Sequence, residues 1–150
     1  MSTPVIGTGV LTRACLAEIL SLSSGQSTPS PLGTLAIHLF ANPVSPSIDT
    51  PLSALTECTF DGYASEMATM SGPTVDLAGD TVLTPTVVPS FGCTGTVTVN
   101  QVYGWYATGP GTVASLQALG TLTPFTPGAG QQFTVKPQIG AAGNVNACVC

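Results

Sequence analysis

Hydrophobic and polar positions alternate along residues 35–40, where Leu35, Ile37 and Leu39 fall on one face and the residues between them on the other. A period of two predicts a β-strand. Pro43 follows and ends the pattern, because proline has no backbone N–H to donate to a sheet ladder. The sequence therefore predicts one strand with two different faces.

A proline-rich loop leads from this strand to the next. Pro51 predicts a short helical turn over Leu52–Thr56, since the first turn of a helix does not use the missing N–H. Gly62 predicts a turn, and the alternation over Ala64–Met70 predicts a second strand. We take residues 35–64 as the stretch around which the rest of the chain is organised.

Further short strands are predicted along the rest of the chain, at Thr74–Leu77, Thr81–Val88, Thr94–Thr108, Val113–Leu122 and Gln132–Ile139. Pro85 indicates that its strand lies at an edge or is bulged. A break near Gly120 and a loop over Pro124–Gly130 are also expected.

The segment Thr94–Thr108 has the strongest β pattern. We expect Tyr103 and Trp105 to share one face, opposite Val102 and Tyr106. Aromatic residues on both faces favour a central strand of a two-sheet sandwich. A glycine among them, at position 104, predicts a bulge or a close approach of another backbone.

The two ends differ from this middle. Met1–Gly9 is predicted to be an arm and Val10–Leu22 a helix capped by Thr8, with a Ser/Pro-rich connector over Gln26–Leu32. Gly140–Cys150 is predicted to be a second extended arm. The predicted organisation is an arm, helix and linker over residues 1–32, a β-sandwich or jelly roll over 33–139, and a terminal arm over 140–150.

Composition narrows the classes of function. The 150 residues predict one domain, and the net charge is −5 with only two cations, Arg13 and Lys136. So few cations disfavour binding to nucleic acid or to an anionic membrane. Sparse surface charge suggests that much of the surface meets other protein, although a monomer with a Thr/Ser-rich surface stays open.

No targeting signal is evident, so synthesis in a cytoplasm is expected. The apolar run at Val10–Leu22 contains Arg13 and Glu18 and is too short to span a membrane. Among the five cysteines, Cys15, Cys58 and Cys93 are expected to be reduced. Cys148 and Cys150 are expected to be thiols too, with a late cross-link as the alternative.

Candidate chemistry is sparse. The single histidine, His38, lies within a strand, so a catalytic triad is not expected. We expect instead a partly buried ring with a satisfied hydrogen bond. The carboxylates of Glu57, Asp61 and Glu66 lack the spacing of a Ca²⁺ loop, which favours a solvated acidic edge. We predict no catalytic, cofactor-binding or metal-binding residues.

Five segments in order resemble a group of small virion proteins of tailed bacteriophages. They are Leu39-Phe40-Ala41-Asn42, Pro46–Thr50, Leu55-Thr56-Glu57, Phe60-Asp61-Gly62-Tyr63-Ala64 and Val102-Tyr103-Gly104-Trp105-Tyr106. The resemblance covers about residues 33–137. The Ser/Pro-rich connector and the cysteine-bearing tail depart from it and leave the use of the termini open.

The resemblance implies a β-sandwich or jelly-roll protein of the virion, such as a capsid decoration (cement) protein on the outer capsid surface. Its partners would be the major capsid protein and copies of itself in a homotrimer, with no enzyme activity and no cofactor. We expect both arms, Met1–Gly9 and Gly140–Cys150, to contact neighbouring subunits or capsid protein. The alternatives are a tail or fibre component that binds a host receptor and a small carbohydrate-active enzyme, which would need two facing carboxylates.

Overall fold

A computed structural model describes residues 5–13, 15–17, 25, 33–71, 73–75, 81–95, 100–109 and 116–140. Regular structure in these residues is almost entirely β, and the prediction of an all-β fold is confirmed. One 3₁₀ turn spans Leu52–Ala54, and residues 13 and 15–17 are helical. The strands are β1 (Val5–Leu11), β2 (Thr34–Phe40), β3 (Glu66–Thr69), β4 (Thr74–Val75), β5 (Thr81–Leu83), β6 (Ser90–Gly92), β7 (Val102–Thr108), β8 (Leu116–Phe125) and β9 (Gln132–Gly140).

The strands form one curled, mixed sheet in the order β3-β2-β7-β8-β1-β9-β5-β4, with β6 paired to β9. Only β1 and β9 run parallel among these pairs. The curl brings the end of β3 to the residues that follow β5, where Met70 forms a bridge with Pro85. Two backbone hydrogen bonds, from Ser71 N to Thr84 O and from Thr86 N to Thr69 O, join the same two segments. The jelly-roll arrangement stays a prediction.

The N-terminal segment corrects the sequence interpretation. Residues Val5–Gly9 are not an arm but belong to β1, which lies inside the sheet between β8 and β9. Helical structure starts at Arg13 rather than Val10, since Val10 and Leu11 pair with β8. The remainder of the predicted helix, the Gln26–Leu32 connector and the tail beyond Gly140 lie outside the described residues.

The main core fills the inside of the curl. It contains Trp105, which is 0% exposed, and a set of aromatic rings in mutual contact at 5.0–6.2 Å between centroids: Phe60, Tyr63, Phe91, Phe125 and Phe133. Leu35, Ile37 and Leu39 of β2 face this core, as their alternation predicts. Burial of these apolar side chains is the dominant favourable contribution to folding.

Strand β7 confirms the predicted bulge and changes the predicted faces. The pairing with β8 shifts between Val102 and Gly104. Val102 and Trp105 therefore both reach the main core, while Tyr103 and Tyr106 pack on the outer side, so the prediction that Tyr103 and Trp105 share a face is wrong. A Cβ atom at Gly104 would collide with the Phe40 ring and with the backbone of Gly120.

Several strand ends also differ from the prediction. Strand β8 continues through Gly120 to Phe125 without a break, because Gly120 is paired on both sides, with Trp105 and with Gly9. Strand β5 ends at Leu83, two residues before Pro85. The short strand β6 was not anticipated at all, since three residues are too few to show a period.

The outer face of β2, β7 and β8 carries a second, smaller core. Phe40, Tyr106, Leu116 and Leu119 form it, and Val44, Leu55 and Tyr103 pack against it. Val44 and Leu55 belong to residues 41–57, which we call the covering loop. This loop brings Glu57 onto the outer face of the sheet, next to His38.

Candidate functional site

The covering loop is held by its own hydrogen bonds. The Asn42 side chain donates to Ala54 O at 2.9 Å and accepts from Thr56 N at 2.8 Å, which ties the start of the loop to its end. Within the loop, Ser47 N donates to Thr50 Oγ1 at 2.9 Å. Because proline fixes φ, Pro43, Pro46 and Pro51 further restrict the loop. The loop is thus a preorganised cover.

His38 lies at the centre of a polar cluster beneath this loop. Its Nδ1 is 2.7 Å from Glu57 Oε1, and its Nε2 is 3.1 Å from Thr108 Oγ1. The imidazole stacks on the Tyr106 ring, with centroids 4.6 Å apart and planes 8° from parallel. The expectation of a partly buried histidine with satisfied hydrogen bonds is confirmed.

The Glu57 carboxylate is the hydrogen-bond acceptor shared by the side chains of this cluster. Tyr63 Oη donates to Glu57 Oε1 at 2.9 Å, while Leu39 N donates to Tyr63 Oη at 2.9 Å. Burial raises the pKa of Glu57, but hydrogen bonds from His38, Tyr63 and Tyr106 outweigh it, so the pKa is lowered overall. Burial, with the nearby Glu57 charge, raises the pKa of the Tyr63 and Tyr106 hydroxyls, which therefore stay protonated donors.

The thiol of Cys58 is made unreactive by its surroundings. Burial, with the Glu57 charge next to it, raises the pKa of Cys58 to about 12. Because the thiolate is the nucleophile, Cys58 is a poor one. Cys93 Sγ donates to Gly95 O at 3.3 Å. Cys58 and Cys93 are free, as expected, and Cys15 is buried; Cys148 and Cys150 lie outside the described residues.

The sequence interpretation missed one constellation. Thr108, His38 and Glu57 have the hydroxyl–imidazole–carboxylate order of a catalytic triad. Thr108 is only 5% exposed, and the cavity of about 510 Å³ beside Glu57 is lined by neither Thr108 nor His38. The geometry is suited to clamping the covering loop onto β2 and β7. The only sequence signal for it is that Glu57 follows a loop that returns to the histidine strand.

The three carboxylates considered for a cation separate in the fold. Glu57 is bound in the histidine cluster, Asp61 accepts Thr94 N through its backbone oxygen at 2.8 Å, and Glu66 lies in β3 opposite Ile37. Within the described part of the chain, no group of three or more His, Cys, Asp or Glu side chains is placed to hold a metal ion.

A second polar contact lies in the middle of the covering loop. Arg13 Nε donates to Asp49 Oδ1 at 2.8 Å, and Arg13 N donates to Ile48 O at 3.0 Å. This hydrogen bond raises the pKa of Arg13 and lowers that of Asp49. Both side chains are exposed, so the ion pair contributes little stability. A groove of about 360 Å³ lies beside it, with Ile48, Leu52 and Leu116 in its lining.

The chain matches no protein-family model, no curated protein and no solved structure in the three comparisons. No helix among the described residues has the length and apolarity needed to cross a membrane.

Proposed function

We propose that this chain is a non-enzymatic structural protein of a tailed-phage virion, a capsid decoration protein that binds the assembled shell as a homotrimer and stabilises it. The proposal starts from the five segments that resemble such proteins. Under this proposal, the chain lies on the outer capsid surface. Its partners are the major capsid protein and further copies of itself.

The observation that carries this proposal is that four of the five segments, at residues 39–42, 55–57, 60–64 and 102–106, contact one another in one packed unit. Phe40 packs against the bulge at Gly104, and Asn42 closes the covering loop. Glu57 Oε1 then accepts a hydrogen bond from Tyr63 Oη, next to the Gly62 turn, and is hydrogen-bonded to His38 Nδ1 of β2. Residues that lie far apart in sequence thus act as one structural element, which supports a resemblance at the level of the fold.

The mechanism is binding alone. A protein that binds the assembled lattice and not its separated parts stabilises the lattice by mass action. The described surface is mostly uncharged, with Arg13 already paired to Asp49, so contacts with a shell would rest on shape, hydroxyl groups and small apolar side chains. Rigidity of the covering loop favours such binding, since less entropy is lost on contact.

An add-back experiment tests the proposal. Virions of the encoding phage, prepared without this chain, are incubated with the purified protein and sedimented. We expect saturable co-sedimentation and higher resistance of the shells to heat. Binding that leaves heat resistance unchanged, or co-sedimentation with isolated tails alone, would contradict decoration, and the second result would favour the receptor-binding tail component.

A further inference from the structure

Strand β1 occupies an unusual place in the topology. Strands β8 and β9 follow each other in sequence across the short loop 126–131, yet β1 lies between them. Its residues Gly9–Leu11 pair antiparallel with β8, and Val5–Gly9 pair parallel with β9. We call the space between residues 116–120 and 135–139 the β1 slot. An empty slot would leave two strand edges unpaired inside the sheet.

The slot recognises its strand by shape as well as by backbone hydrogen bonds. A Cβ atom at Gly9 would lie 2.5 Å from two carbons of the Trp105 indole, and the residue paired with Gly9 is Gly120. Only a strand with glycine at this position leaves room for the ring. The segment VIGTGVL meets this requirement and carries no charge that would be buried.

The sequence that links β1 to β2 is long enough to reach another molecule. Gly33 lies sixteen residues after Ala17 in sequence, and a chain of that length spans at most about 53 Å. A compact domain of this length has a diameter of about 38 Å. The N-terminal strand of one copy can therefore reach the slot of its neighbour.

We propose that the β1 slot accepts the Val5–Ala17 segment of a second copy of this chain in place of its own, so that copies become linked by exchanged strands. The exchanged form remakes the same pairings, so the balance depends mainly on the local concentration of copies. Strand donation of this kind gains affinity from main-chain hydrogen bonds. Crowding of copies on a shell would favour exchange, and this last point alone rests on the proposed function.

Register-specific cross-linking tests the exchange with the full-length chain. Thr8 pairs with Gln138, so cysteines at these two positions come within disulfide distance when β1 fills the slot. Two single variants, Thr8→Cys and Gln138→Cys, are made with Cys148→Ser and Cys150→Ser. They are mixed, unfolded and refolded together at high concentration, and oxidised. We expect a covalent heterodimer on a non-reducing gel and by intact mass.

Two controls interpret the result. Thr134→Cys mixed with Thr8→Cys is four residues out of register, about 13 Å along β9, and should give roughly tenfold less heterodimer. One chain carrying Thr8→Cys and Gln138→Cys together should form its internal bond. If that bond forms while the mixed variants give no more heterodimer than the off-register pair, or if it does not form at all, the proposal is overturned. No capsid is present, so this test can fail independently of the decoration proposal.

Discussion

Replacing Gly9 with alanine distinguishes a buried strand from an exposed arm at the N-terminus. The new Cβ would lie 2.5 Å from Trp105 Cη2 and Cζ2 and 3.2 Å from Leu119 O. Carbon atoms in contact need about 3.5–4.0 Å, so the ring or the strand must move by about 1 Å. Trp105 is 0% exposed in a close-packed core and has no free space to move into.

The expected penalty follows from overpacking. An extra methyl group in a well-packed core destabilises by about 1–3 kcal/mol. For a chain of this size each kcal/mol lowers the melting temperature by about 2–4 °C, which predicts a decrease of about 2–12 °C for Gly9→Ala. In an exposed arm, the same change would leave stability unchanged or raise it by about 0.4–1 kcal/mol through the entropy of the unfolded chain.

Thermal unfolding followed by far-ultraviolet circular dichroism measures the difference. Gly92→Ala is the matched control, because it lies in strand β6 with 3.9 Å of clearance to Gln132 Cγ and should not lower the melting temperature. Adding Trp105→Phe to Gly9→Ala should cost less stability than the two single effects combined, since the smaller ring makes room. A melting temperature for Gly9→Ala at or above that of the parent would refute the placement of β1.

Three further outcomes are expected. The pKa of Glu57 is lowered from its usual 4.5, so its carboxylate stabilises the fold above that pH and loses this effect as the pH falls through the folded pKa. The difference in melting temperature between the parent and Glu57→Gln should therefore shrink between pH 6 and pH 3. A constant difference would contradict the clamping role of Glu57. Asn42→Ala removes two hydrogen bonds and should cost about 1–3 kcal/mol, with faster amide exchange in residues 41–57 than in β9; unchanged exchange would show that Asn42 does not hold the loop. Cys58, with a pKa of about 12 against 9.0, should have about a thousandfold smaller thiolate fraction at pH 8 than in the unfolded chain, so site-resolved alkylation should be rapid only in denaturant.

The strands with clear alternation could be predicted because each has one face in the main core. Leu35, Ile37 and Leu39 point inwards in β2, and the pattern of β9 likewise places Phe133, Val135 and Ile139 in the core. Gly62 adopts a φ of 86°, as its turn requires. In these segments the local pattern and the tertiary packing agree.

The places where prediction failed depend on distant partners. Val5–Gly9 has two glycines and a weak period, and it becomes a strand only because β8 and β9 supply hydrogen bonds more than one hundred residues away. The bulge in β7 puts Tyr103 and Trp105 on opposite faces, although the alternation predicts that they share one. The histidine cluster needs Glu57 and Thr108, which lie 19 and 70 residues after His38 in the sequence. Local patterns indicate the bulge but not these distant pairings.

The copy number of this chain in purified virions tests the central claim most directly. Quantitative mass spectrometry of intact particles gives the molar ratio of this chain to the major capsid protein. The account predicts a fixed ratio in proportion to the capsid lattice, with density for the chain on the outer surface of the shell. A ratio of only a few copies per particle, or absence of the chain from virions, would contradict it.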